Sequence, residues 1–411
     1  MGLEMVKGVL VLKMDMISTT ALAGLLLVMG YFLRSKVSFF ERFCIPAPVI
    51  GGFAFAILAW IFKETGIVNF NFTTTLQSPF MIAFFTTVGI GGSLGLMKKG
   101  GKALFVYLFF CWFIAVFQNA FGSALASAFG IHPVLGVMAG AVSLEGGHGA
   151  AAAFGPTAEA LGVKGATAVA IASATYGLIS GSLLGGPVAK WLIEKNNVEV
   201  KSSQEHFESF DEVTGSAQEE KIESKGLLRM MALVLVIMTI GAMVSGKLKA
   251  ATGFDLPGYV GAMIIAVIFR NLNDHTKTIN LNTKDINLMA DVSIGMFLTM
   301  AMMTLRIWDL YDLALPLISI LVLQTIALLI LAVFVLFRLL GKDYDAAVIC
   351  AGLMGHGMGA TPNAVANMGS VCEHYKVMSY KAFLIVPLCG AVLIDMVGLP
   401  CIVWFINHFA G

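Results

Sequence analysis

The chain has 411 residues, of which 58% are hydrophobic and only 12% charged, against roughly 25% charged in an ordinary soluble domain. Too little polar surface remains to clothe a soluble core. The mean hydropathy of +0.86 agrees, so the composition points to an all-α polytopic membrane protein in a lipid bilayer and excludes a soluble enzyme. The net charge of +1 leaves no electrostatic footprint for nucleic acid. Cys44, Cys111, Cys350, Cys372, Cys389 and Cys401 form no CxxC and no pattern with histidine, and read as small apolar residues.

A helix needs about 20 apolar residues to cross the hydrocarbon core. In chain order the candidate stretches are Met16 to Leu33, Phe43 to Phe62, one within Thr65 to Met97, Ala103 to Leu144, and Ala166 to Ala189. The fourth is long enough for a span plus a broken element. The first resembles a signal peptide in position, but lacks a strongly basic flank and is followed by further spans. A polar, mostly acidic stretch over 194–228 reads as a solvated linker between membrane units 1–193 and 229–411. Beyond it come Met230 to Gly246, Leu256 to Phe269, Ile286 to Leu305, Leu313 to Phe337, Ala346 to Cys372 and Ala382 to Phe405. The expectation is ten full spans, five on each side of the linker, with one broken segment in each half.

Lysine and arginine orient the spans, because cytoplasmic loops carry their excess. One set of loops, including the linker, holds 19 of them; the other, with Lys7, Lys13, Lys63, Lys164, Lys247, Lys249 and Arg306, holds 7. The linker is then cytoplasmic and both termini outside, provided that each broken segment enters and leaves on one side as a re-entrant hairpin.

An internal repeat accompanies this count. Pro48-Val-Ile-Gly51 resembles Pro257-Gly-Tyr-Val-Gly261, Gln118 matches Gln324, Gly140 matches Gly352, and Gly147-His148-Gly149 matches Gly355-His356-Gly357. The offset stays near half the chain length. With an odd number of full spans per half, the second half is upside down relative to the first. Inverted repeats with glycine-interrupted segments at matching positions point to a secondary transporter with its site at the repeat interface.

The broken segments run from Ser143 to Gly155 and from Gly352 to Met368. Glycine-dense backbone is tolerated at membrane depth only where it is buried or lines a cavity. A helix starting after such a break turns free N–H groups towards an anion, and a helix ending there offers carbonyls to a cation. The substrate-binding candidates are Gly146, Gly147, His148 and Gly149 in the first break, and Gly355, His356, Gly357, Gly359, Thr361, Pro362 and Asn363 in the second, with Thr361 as a candidate helix cap. Close helix packing through small residues is the competing explanation of the glycines.

These clusters, the Pro46-Ala-Pro48 turn, the stretch from Lys342 to Val348 and the run Gly359-Ala-Thr-Pro-Asn-Ala-Val-Ala-Asn-Met368 resemble the sodium/glutamate symporter family. The resemblance spans nearly the whole chain outside the linker. It implies secondary active uptake of L-glutamate with sodium at a bacterial inner membrane, two inverted five-helix repeats each with a re-entrant hairpin, a homodimer, and an elevator motion. Glu145 and His356 depart from the family pattern, which has a small polar residue and an aromatic at those positions.

Ionisable groups inside a membrane are functional candidates because they are costly there. Asp395 lies within the last span and is a candidate ligand for sodium or for a substrate ammonium. Ser143, Asn119, Gln324, Thr361 and Asn367 complete the sodium candidates as neutral oxygens, with interhelical hydrogen bonding as the alternative role. Asp291 reads as a helix-start charge, Asp343 and Asp345 as solvated boundary residues, Arg306 as a snorkelling arginine, and the phenylalanines as lipid-facing or packing surface. No cofactor motif, Ser-His-Asp set, HExxH or Walker sequence is present. The leading alternative is a proton-coupled carrier of another small carboxylate, suggested by Glu145, His148 and His356. A passive channel and an intramembrane enzyme stand further off.

Overall fold

The computed structural model describes residues 2–6, 9–43, 45–93, 101–201, 224–252, 256–308 and 313–410. Most of the polar linker, and with it Lys221, falls outside these residues, as do Lys7, Cys44, Lys98 and Lys99. The elements run β1 (Gly2–Val6), β2 (Val9–Met14), α1 (Met16–Lys36), α2 (Ser38–Arg42), α3 (Ala47–Glu64), β3 (Val68–Phe72), α4 (Gln77–Gly91), α5 (Gly101–Ala128), α6 (Pro133–Met138), α7 (Ala141–Leu144), α8 (Gly147–Ala160) and α9 (Ala166–Lys195). After the linker come α10 (Ser224–Thr252), α11 (Gly258–Thr276), α12 (Thr283–Met303), α13 (Ala314–Leu339), α14 (Tyr344–His356), α15 (Thr361–Tyr375) and α16 (Tyr380–Ala410). Among the described residues, α1, α3, α5, α9, α10, α12, α13 and α16 are long and apolar enough to cross a membrane. The other two expected spans coincide with α4, at 15 residues, and α11, whose last turns carry Arg270 and Asp274.

Local chemistry sets several of the ends. Asp15 caps α1 by accepting from the Ser18 amide at 2.8 Å, and Arg34 and Lys36 complement the dipole at its far end. Pro46 and Pro257 occupy the cap positions of α3 and α11. Asp343 is exposed, as expected of a solvated boundary residue, and caps α14 through the Ala346 amide at 2.7 Å. Asp345 is buried and accepts from the Ser379 hydroxyl at 2.6 Å. Asp291 is an exposed residue in the middle of α12 and starts no helix.

The helical architecture expected of a polytopic membrane protein carries one addition, a small sheet in the order β1-β2-β3, with β1 antiparallel and β3 parallel to β2. Alternation in Val68-Asn-Phe-Asn-Phe72 directs Phe70 and Phe72 onto Phe55, at 5.2 and 5.9 Å between rings. The sheet thus marks one end of the bundle, the sheet end; α9 finishes and α10 starts at the opposite, linker end.

Close approaches sort the helices into two groups. In the first, the panel, α1 and α3 run antiparallel, with Gly30 against Ala47 and Gly51 against Leu26. α10 and α11 do the same, with Gly241 against Ala262 and Gly261 against Ser245. α4 lies parallel to α11, from the Phe85–Tyr259 ring pair at 5.0 Å to the Asn271 amide on Gly92 O at 2.8 Å. α12 packs on α3 through Met302 and Gly52. In the second group, the core, α6 runs back along α5, with Gly136 on Gly122 and Gly140 on Gln118 O, and α8 runs antiparallel to α9, with Gly155 on Thr167. α14 and α15 are also antiparallel, joined by Gly355 on Ala364 and by the Tyr344 hydroxyl donating to Val377 O at 2.7 Å. α13 and α16 complete the core.

Lipid is as apolar as a leucine side chain, so helix association here depends on close packing of small residues and on interhelical hydrogen bonds, each about 0.6 kcal/mol. The core is rich in both. Gln324 donates to Gln118 O at 2.7 Å, and Gln118 donates to Gly357 O at 2.8 Å. Asn363 donates to Leu178 O at 2.9 Å, and Asn367 to Gly181 O at 3.0 Å.

Candidate functional site

The first break begins where α6 gives way to the single turn of α7. Asn119 of α5 receives the Ala141 amide at 3.2 Å, holding the start of that turn. Ser143 lies within hydrogen-bond reach of Met138 O at 2.5 Å and Ala170 O at 2.8 Å, which ties the turn to α9. Glu145 closes α7, and α8 starts at Gly147. Gly147 has φ +57°, a region that glycine alone enters without strain, and a Cβ there would stand 3.0 Å from Gly359 O. His148 Nε2 lies 3.0 Å from Thr175 Oγ1, whose own proton goes to Ile171 O at 3.0 Å. The histidine is therefore the donor through Nε2–H.

The second break joins α14 to α15. Ala360, extended at φ −162°, stands at the cap position of α15, and Thr361 is the first helical residue; the threonine expected as the cap makes no side-chain cap bond. Alanine offers no oxygen, so the first amides of α15 receive no side-chain cap.

The two breaks touch, Gly147 against Gly359, and a cavity of about 280 Å³ opens beside them. Glu145 to Ala150 form one wall, Gly359 to Pro362 a second, and Gly390, Ala391 and Asp395 of α16 a third. Asp395 stands two residues after the end of the π-helical stretch Cys389–Leu393, an irregularity frequent at functional sites. Phe84, Phe85 and Val88 of α4 and Ile294 and Leu298 of α12 supply an apolar wall from the panel. Phe84 and Ile294 lie 3.6 and 3.9 Å from a Cβ built at Gly149, so both close on the cavity from the panel.

This is near the small end of ligand pockets, roughly 300–1,000 Å³. Cavities of about 860, 650 and 520 Å³ exist elsewhere. The smaller one is distinguished by its chemistry: two carboxylate residues, Glu145 and Asp395, line it together with the starts of α8 and α15. The helix starts favour negative charge, and the carboxylates favour cations. Glu145 Oε1 is buried and has no hydrogen-bond partner among the described residues. One small volume can thus hold carboxylate, ammonium and metal ion together.

The structure gathers Gly146, Gly147, His148, Gly149, Gly359, Thr361, Pro362 and Asp395 around this cavity. Other candidates stand behind it. Asn363 and Asn367 are turned to α9. Gly355 and Gly357 are packed inside the second break, and His356 sits behind Gly390 with its Nε2 2.5 Å from the Tyr107 hydroxyl. Asn119, Ser143 and Gln324 brace the breaks; Gln324 Oε1 and Asn363 Oδ1 are buried without a partner among the described residues. The lining role of Phe84, Phe85 and Ile294 corrects the view of the phenylalanines as packing or lipid surface only. The threonine pair Thr86-Thr87 after two phenylalanines was the one signal that α4 faces protein.

Comparison with known proteins finds relatives of this chain by sequence. The family model described as "Sodium/glutamate symporter" matches residues 12–377. A Haemophilus influenzae protein named "Sodium/glutamate symporter" is 39% identical over 387 residues, covering 92% of this chain and 94% of the relative. Proteins of the same name from Escherichia coli and Shigella flexneri are each 38% identical over 387 residues, covering 93% of this chain and 95% of the relative.

Proposed function

The chain belongs to the sodium/glutamate symporter family, and from that premise we propose that it carries out sodium-coupled symport of L-glutamate by alternating access, with the cavity between the two breaks as its binding site. The observation that carries this reading is the meeting of Gly147 and Gly359, which brings the starts of α8 and α15 to one cavity with Asp395. The glutamate carboxylates take the free amides of these helix starts, aided by Gly146, His148 and Thr361. Asp395 takes the ammonium or a sodium ion. Sodium completes its shell with the Thr361 hydroxyl and carbonyls of the breaks. Each ion that stabilises the substrate-binding arrangement tightens substrate binding by the same factor, a reciprocal linkage.

The two inverted repeats, each with a re-entrant hairpin, follow from the same reading. Support comes from helix pairs that match across the halves with opposite directions. Gly51 packs α3 on α1, and Gly261 packs α11 on α10. The most apolar stretches of α1 and α10 are each 22% buried, and those of α5 and α13 each 50%. Units 1–193 and 229–411 are the two repeats. The positive-inside rule supports a cytoplasmic linker with the sheet end outside, and membership of the family supports a bacterial inner membrane, where we infer a homodimer.

The core then moves against the panel. The seam between them is apolar at Phe84 and Ile294 over Gly149, and aromatic at Tyr259 against Phe154, at 5.3 Å. A proton-coupled carrier of another small carboxylate is the second reading, favoured by the unpartnered Glu145 Oε1 in the cavity region. The deciding measurement is accumulation of labelled L-glutamate in proteoliposomes under an inward sodium gradient, beside a pH gradient alone. Concentrative uptake with sodium is expected. Uptake with the pH gradient alone moves the assignment to the second reading.

A further inference from the structure

Arg306 was expected to snorkel at a helix end. It instead stands on the wall of two cavities at the sheet end, one of about 860 Å³ between α4, α8, α9 and α12, the other of about 650 Å³ under the sheet. Three helices carry the larger cavity on towards the site between the breaks. α4 lines it with Met81 and the site with Phe84, α8 with Ala152 and then Ala150, and α12 with Ala301 and then Leu298. About one helical turn separates the two volumes, and Phe84, 3.6 Å from a Cβ built at Gly149, stands between Met81 and the inner cavity.

Charge at this mouth is out of proportion to its surroundings. The face has few cations, yet Lys63 and Arg306 share the wall of the 650 Å³ cavity. Lys63 is engaged, its ammonium 3.3 Å from the Trp308 ring centroid. Arg306 is exposed and makes no salt bridge among the described residues. The acid of the larger cavity, Glu159, has one oxygen committed to the Thr167 amide at 3.0 Å. A guanidinium without an acidic partner among the described residues, in a concave mouth, is suited to bidentate capture of a carboxylate, and a concave wall focuses its field.

We propose that Arg306 is an outer docking point for a carboxylate of the substrate, occupied before the substrate passes Phe84 to the inner cavity; this rests on the reading of the chain as a glutamate symporter with the sheet end outside. The site takes small di-acids as a class and favours them over neutral amino acids. Its contribution is made on arrival, so it lowers KM and leaves the later steps unchanged.

The test uses proteoliposomes of wild type, Arg306→Gln, Arg306→Lys and Lys164→Gln, the last removing an equal charge from an exposed loop residue at the same end that lines neither cavity. Initial L-glutamate uptake is measured at fixed sodium while choline chloride raises the ionic strength from ~20 to ~300 mM. Arg306→Gln is expected to raise KM about tenfold at low ionic strength and about twofold at high, with Vmax unchanged. Arg306→Lys is expected to retain most of the wild-type KM, and Lys164→Gln all of it. An unchanged KM in Arg306→Gln, an equal rise in Lys164→Gln, or a loss of Vmax that salt does not alter overturns the docking point while wild-type uptake keeps the symport reading. Wild-type vesicles that take up no L-glutamate overturn both.

Discussion

Panel and core bury polar side chains in different ways. In the panel, Thr86, Thr87 and Thr299 return their hydroxyls to carbonyls of their own helices, at 2.7, 2.6 and 2.8 Å. Its interhelical polar bonds among the described residues lie near the helix ends: Arg270 donates to Ile90 O at 3.1 Å and Asn271 to Gly92 O at the linker end, and Ser245 to Pro257 O at 3.5 Å at the sheet end. In the core, amides and rings reach between helices at the depth of the breaks: Gln324 to Gln118, Gln118 to Gly357, Asn363 to Leu178, His148 to Thr175. A self-satisfied threonine leaves its helix free to slide against a neighbour. A shared amide fixes two helices in register. The contrast fits the proposed movement of the core as one body against the panel.

The sharpest way to break this comparison is to weld the seam. Cysteines replacing Gly149 and Ile294, joined by a short cross-linker, are expected to stop sodium-driven uptake, and cleavage of the linker to restore it. Full transport in the cross-linked protein would mean that the two groups do not move apart there. Next in size, Asp395→Asn removes a charged partner worth roughly 1.5–3 kcal/mol, so uptake at fixed low glutamate should fall about 10- to 100-fold; near-normal uptake would remove Asp395 from the site. Gly147→Val forces a branched residue to positive φ, at about 1–2 kcal/mol, and presses on Gly359 O. A loss of about tenfold in uptake with normal membrane insertion is expected.

The smallest effects sharpen the contrast itself. Gln118→Leu leaves Gly357 O without its donor and should cost about 1 kcal/mol or more, read as a lower thermal midpoint in detergent. Thr87→Val removes only a bond within α4 and should stay within about 0.5 kcal/mol. Equal losses in the two variants would erase the distinction between core and panel.

The spans and both breaks were legible because apolar length and glycine density are properties of the chain itself. Asp395 was legible because a carboxylate inside an apolar span has so few explanations. What the sequence concealed was facing. Phe84 is one of 30 phenylalanines, and nothing in its neighbours says that it covers a cavity. The offset that pairs Gly51 with Gly261 does not reveal which of Asn363 and Thr361 turns to the cavity; the start of α15 at Thr361 decides that, sending Asn363 to α9. Asp345 looked solvated because Ser379, its partner, is distant in sequence. The sheet was missed for a different reason. Its strands are five or six residues long, and a search for spans passes over runs of that length. The alternation in Val68-Asn-Phe-Asn-Phe72 was the available signal.

That sheet has a consequence for the birth of the protein. β2 pairs in parallel with β3, Leu10 opposite Val68 and Met14 opposite Phe72. A parallel pair needs a crossover connection, and here the crossover is α1 to α3, two passages of the bilayer. The strand that precedes α1 therefore waits on the far side until α3 has delivered its partner. Synthesis at about 5–20 residues per second makes that wait a matter of seconds. Closure of the sheet is then a timed event in assembly, reporting that the first two spans are seated before the rest of the chain arrives.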